Sequence, residues 1–207
     1  MISNALNISP GSLTYYFPTK ENLLAVFIEM LADYQWGVFQ KAVDDGETPI
    51  TALCFELTAM VAMCEDDEVA KDLYISAYTK PLALSIVRKT DEKRARTVFA
   101  EYCPDWTDEQ WAQAEMLVSG LEYSVLNITP ECPSLPMRIA GAMNSILMIY
   151  GVPEERRKMK IEKALSMDYR KYGQHILNDF KAYVTDTIEK EFDSFVQVGL
   201  HFEKREE

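Results

Sequence analysis

Apolar residues recur along this chain at three- and four-residue spacing, and nowhere do they alternate as a strand facing a core would. Over 20–43, Leu23, Leu24, Phe27, Ile28, Leu31, Tyr34, Val38, Phe39 and Ala42 form one stripe. The stripe predicts a helix of about 36 Å at 1.5 Å per residue. Asp44-Asp45-Gly46 ends it, and Thr48-Pro49 opens a second helix that runs to about Cys64 and is rich in Phe55, Met60 and Met63. A third pattern spans 66–79 and stops at Pro81. Residues 82–103 continue helically with a charged middle from Arg88 to Arg96, and Thr107-Asp108-Glu109 marks a capped restart after Cys103-Pro104. Two apolar helices follow, over 107–128 and 134–151, joined by a short link containing Pro. The second is apolar almost all round, which predicts burial on more than one side. Gly141 and Ser145 on it, and Ser119 and Gly120 on its partner, leave room for backbones to approach. Such a pair suits a central core or half of a four-helix dimer interface. Beyond Pro153, Ile176, Phe180, Val184, Ile188, Phe192 and Phe195 keep helical spacing. The predicted fold class is all-α.

The front of the chain carries a different pattern. Ile2, Ala5 and Leu6 share one face of a short helix. Asn7 tolerates the left-handed conformation that closes a helix. Ser9 is suited to cap the next one and Pro10 to be its first residue. Leu13 and Phe17, four apart, point inward together, leaving Ser12, Thr14, Tyr15 and Tyr16 on the outer face. Their hydroxyls and rings suit base edges, thymine methyls and phosphates. Pro18 stops this helix, Thr19 can cap the following one, and Lys20 in its first turn can meet a phosphate. Spacing alone fits equally a DNA-reading helix-turn-helix or an ordinary helical hairpin with a tyrosine-bearing surface.

The segment ISNALNISPGSLTYYFPTKENLL, residues 2–24, resembles the DNA-binding motif of the tetracycline-repressor (TetR) family. The resemblance rests on Ser9-Pro10-Gly11-Ser12-Leu13, the aromatic end Tyr15-Tyr16-Phe17, and Lys20-Glu21-Asn22-Leu23-Leu24. Thr14 stands where that family often has Tyr, and Asn7 where it often has Gly. The family's first helix, and the opening turn of its second, would precede Ile2. The resemblance implies that Pro10, Gly11, Ser12, Thr14, Tyr15 and Tyr16 face DNA, with Lys20 on a phosphate. It implies an N-terminally incomplete helix-turn-helix with a linker helix over 1–45, and an all-helical ligand-binding and dimerisation domain over 46–207. It also implies a homodimer on a palindromic operator, and a small-molecule effector that changes the spacing of the two reading heads through the long helix. Met60, Met63, Tyr74, Tyr78, Phe99, Trp111 and Tyr123, Met and aromatic residues of the kind that line adaptable apolar pockets, are the candidate effector-binding residues. Each taken singly also reads as plain core. An alternative is a dimeric small-molecule-binding interaction protein that no longer reads DNA, because the front helix is missing.

Composition narrows these readings. The net charge of −12 argues against a generic nucleic-acid coat, which needs cationic neutralisation of phosphates. It leaves room for a specific reader with an acidic body: residues 1–25 carry only Lys20 and Glu21, while 44–72 hold nine carboxylates and Lys71. The four cysteines, Cys54, Cys64, Cys103 and Cys132, have no metal-ligand spacing and read as reduced thiols of a cytoplasmic protein. No signal peptide is evident, and the most apolar run, 139–152, is too short for a bilayer span. His175 and His201 have no Glu three residues before them, and there is no nucleophile elbow or phosphate-cradling loop. The expectation is therefore a non-enzymatic protein without cofactor or metal. The run Arg156, Arg157, Lys158, Lys160 and Lys163 reads as a solvated helix face.

Overall fold

The computed structural model describes residues 18–203, with side chains up to Thr187; those residues form eight helices and no strand. The fold is all-α. Helix α1 (Lys20–Asp44) starts at a capping box in which Thr19 Oγ1 accepts from the Asn22 amide at 3.1 Å and Asn22 Oδ1 accepts from the Thr19 amide at 3.2 Å. Gly46, at φ 99°, turns the chain away from its end. Helix α2 (Pro49–Asp66) follows a Thr48 cap, and α3 (Glu68–Thr79) an Asp67 cap whose carboxylate takes the Ala70 amide at 2.9 Å. Helix α4 (Pro81–Phe99) has no side-chain cap of its own at Lys80. Glu21 from the first turn of α1 reaches across instead, accepting from the Leu82 amide at 2.8 Å. A second capping box, Thr107 with Gln110, opens α5 (Asp108–Leu126). Helix α6 (Leu135–Ile149) ends at Gly151, whose φ of 70° favours glycine. Helices α7 (Glu154–Ser166) and α8 (Tyr169–Glu203) complete the body. Among the described residues, no helix is long and apolar enough to cross a membrane.

The central element is α2. It packs against each of the other helices and buries residues around its whole circumference, from Ile50 and Thr51 to Met63 and Cys64. Its buried hydroxyl Thr58 is satisfied by donating to the Cys54 carbonyl at 2.7 Å. Helix α8 lies along α2 at its closest point, Gly173, where an added Cβ would stand 2.9 Å from the Ala59 carbonyl oxygen. Helix α1 belongs to the same core through Ile28, Leu31 and Phe39.

The sequence pattern singled out α6 as the helix apolar on all sides, and within one chain it is not covered on all sides. Leu135, Ile139, Ala142, Met143, Ile146 and Leu147 are buried, while Met137 and Met148 are exposed on one edge together with Gly141 and Asn144. Met116, Leu117 and Gly120 on α5 are exposed too, and a Cβ added at Gly120 or Gly141 would meet nothing within 4 Å. Their small size therefore serves no close approach among the described residues. The basic run on α7 is partly solvated, yet each member is tied to its own chain. Lys163 meets Glu47 at 2.5 Å, Arg157 donates to the Val152 carbonyl at 2.7 Å, and Lys160 donates to the hydroxyls of Thr48 and Thr51 at 2.7 and 2.8 Å. Lys158 pairs with Glu154 at 2.7 Å, and Arg156 donates to the Tyr102 hydroxyl at 2.6 Å.

Candidate functional site

A cavity of about 80 Å³ lies among α1 to α6, several times the roughly 10–15 Å³ one water needs. One wall is α1, through Ile28, Leu31, Ala32 and Gln35. Helices α5 and α6 line it too, with Val118, Met143, Ile146 and Leu147. Tyr74 and Tyr78, four apart on α3, present one face of that helix to it. Phe99 and Tyr150 stack with ring centroids 4.0 Å apart at its far end.

The apolar wall is interrupted by charge. Glu56 on α2, Asp91 and Arg94 on α4, and Glu115 and Glu122 on α5 all line the cavity: four carboxyl groups against one guanidinium. Arg94 and Glu56 form a bidentate pair, NH1 to Oε1 at 2.9 Å and NH2 to Oε2. Asp91 lies 3.5 Å from the same guanidinium. Arg94 Nε is buried without an acceptor, and the guanidinium sits 5.6 Å from the Phe39 ring centroid. Among the described residues, Glu115 and Glu122 form no salt bridge. Glu115 accepts from the Tyr150 hydroxyl, and Glu122 accepts from the Tyr78 hydroxyl at 3.0 Å.

The consequence is a set of reluctant acids. Burial pushes the Glu115 carboxyl up to about 8; the Asp91 charge adds to the shift, and the Tyr150 hydrogen bond works against it. Glu122 is pushed well above the carboxylate range by burial and by Asp91 and Glu115. Burial also raises Asp91, with Arg94 pulling it back. Burial is the first cause that raises Tyr74 and Tyr78; Cys64 and then Glu56 add to it at Tyr74, and Glu122 and Asp91 at Tyr78.

Of the seven residues chosen from sequence for an effector pocket, Met60, Tyr74, Tyr78 and Phe99 line this cavity. Met63 lies beside a smaller neighbouring cavity with Tyr34, Tyr172 and Ile176. Trp111 is buried one layer back, 6.0 Å from the Tyr150 ring. Tyr123 is half-buried away from the cavity, accepting from Asn127 Nδ2 at 2.9 Å. The residues that sequence reasoning passed over are the charged ones and Tyr150. A signal for two of them was present: Glu115 and Glu122 fall on the same helical stripe as Trp111 and Val118, where a carboxylate has no place in an ordinary apolar face. Among the described residues, no three His, Cys, Asp or Glu side chains converge as a metal ion needs.

The candidate DNA-facing residues Pro10, Gly11, Ser12, Thr14, Tyr15 and Tyr16 lie outside the described residues. Lys20 is exposed in the first turn of α1. Comparison with family models, with curated proteins and with solved structures finds no match for this chain.

Proposed function

We propose that this protein is a ligand-responsive DNA-binding transcriptional regulator of TetR type, a repressor released from a palindromic operator by a small molecule. One observation carries the reading. The helix that follows the candidate reading segment, and bears Lys20 in its first turn, is also the helix that walls the cavity with Ile28, Leu31, Ala32 and Gln35. A ligand that prefers one position of α1 would therefore bias the position of the segment ahead of it. The Glu21 carboxylate on the Leu82 amide fastens the start of α1 to α4, the helix that contributes Asp91 and Arg94 to the cavity. That bond gives a second mechanical link between ligand and head.

A regulator of this kind works as a dimer, because a palindrome needs two heads about one DNA turn (~34 Å) apart. The exposed edge of α5 and α6, with Met116, Leu117, Gly120, Met137, Gly141 and Met148, is the surface we assign to it. The deciding experiment is a titration of the full chain on the DNA upstream of its own gene, against a scrambled duplex, at several salt concentrations. The reading expects preference for the upstream DNA and affinity that falls with salt. Equal affinity for both duplexes, or none for either, refutes DNA reading and leaves the non-DNA-binding dimer as the better account.

A further inference from the structure

We propose that the cavity takes a small hydrophobic organic cation, an aromatic or alkyl ammonium, held by Glu115 and Glu122 and flanked by Tyr74 and Tyr78. The proposal rests on the reading of this cavity as an effector site and names its ligand class.

Arg94, the one cationic side chain among the described residues that line the cavity, is already taken by Glu56 and, at 3.5 Å, by Asp91, which leaves the Glu115 and Glu122 carboxyls without a cation. Glu115 is 3 % exposed, and only one of its oxygens, Oε1, has a hydrogen-bond partner among the described residues. Its carboxyl faces the cavity with acceptor capacity to spare. Carboxyls in an apolar wall are costly and accomplish nothing for packing, since a Leu or Met would fill the same stripe. Protonated while the cavity is empty, each can give up its proton when a positive charge enters, and the desolvated ion pair that forms is strong.

Three other occupants fit less well. An anion would meet carboxyl groups on α2, α4 and α5. A metal ion would need three converging ligands, which the described residues do not provide. A neutral apolar molecule would satisfy the wall but give the remaining oxygens of Glu115 and Glu122 no partner. An organic cation satisfies both. Its hydrocarbon part meets Ile28, Leu31, Val118 and Met143, and its charge meets the carboxyls, with Tyr74 and Tyr78 lining the same cavity. The flexible Met60 and Met143 in the wall can give way to a ring.

The test uses the full chain without DNA and three probes of similar size: benzyltrimethylammonium, its uncharged isostere neopentylbenzene, and phenylacetate. Affinities are read by calorimetry and by tryptophan fluorescence, because Trp106 and Trp111 pack 5.8 and 6.0 Å from the Tyr150 ring. The cation is expected to bind at least tenfold tighter than neopentylbenzene, and phenylacetate weakest of all. Glu115→Gln and Glu122→Gln, each near-isosteric, are expected to lower affinity for the cation fivefold or more while leaving neopentylbenzene unchanged. Glu109→Gln, on the exposed side of α5, is expected to change neither. Circular dichroism reports whether each variant keeps its helices, and either cavity variant alone suffices if the other fails to fold. Equal or tighter binding of the neutral or anionic probe, no binding of any probe, or parallel loss of cation and isostere in the variants overturns the proposal. DNA preference without cation binding defeats this inference alone. Cation binding without DNA preference defeats the repressor reading alone.

Discussion

Replacing Glu115 by Gln should stabilise the protein, and by more as pH rises. The residue is 3 % exposed and its carboxyl is raised from an ordinary 4.5 to about 8 by burial. For an acid whose folded value is raised, the folded state holds the proton more tightly than the unfolded chain does. Stability contributed by the protonated group is complete below about pH 4.5 and declines as pH rises, levelling off above about 8. At about 1.4 kcal/mol per pH unit, the decline amounts to about 3 kcal/mol by pH 7 and about 5 kcal/mol above pH 8. Gln keeps the size of the side chain, and its carbonyl oxygen can still accept from the Tyr150 hydroxyl, but it has no proton to lose. Urea denaturation of both proteins at pH 5, 6, 7 and 8, at one fixed protein concentration, measures the difference. Glu115→Gln should lie within about 1 kcal/mol of the parent at pH 5 and about 3 kcal/mol above it at pH 7. A gap that stays flat or narrows over this range refutes the reasoning, because it would mean that the folded protein does not hold Glu115 protonated.

Phe99→Ala should cost about 3–5 kcal/mol in the same assay, since it empties a fully buried site stacked on Tyr150. Gly173→Ala should cost about 1–3 kcal/mol, because the new Cβ meets backbone on α2 and a helix must shift to admit it. Gly120→Ala, with nothing within 4 Å, should stabilise the isolated chain by up to about 1 kcal/mol through helix propensity. If the proposed dimer forms through the exposed edge of α5, Leu117→Glu should convert it to monomers in sedimentation equilibrium without lowering helix content; a dimer unchanged by the substitution, or a parent chain that is monomeric, would refute that interface.

Legibility followed range. The helices could be read because their signals are local. Thr19 and Thr107 are caps, Thr48-Pro49 opens a helix and Pro81 stops one, and the meaning of each does not depend on what packs nearby. The candidate site was half legible for the same reason: Met60, Tyr74, Tyr78 and Phe99 stand on apolar stripes and lie at the cavity. Trp111 and Tyr123 carry the same signal and lie elsewhere, since a stripe shows that a residue faces inward without showing what it faces.

The sequence by itself determined an all-helical chain, the approximate ends of its helices and an acidic balance, because each follows from neighbours a turn or two away. The tertiary structure alone decided that α2 rather than α6 is the helix enclosed on every side, and that Gly173, which no pattern marked, is where α8 meets it. It also decided that Asp91 and Arg94, ordinary charged positions when read along the chain, converge on one cavity with Glu115 and Glu122, which the apolar stripe of α5 marked as out of place without showing what they face. A charge is cheap or costly according to what covers it, and cover comes from residues distant in sequence.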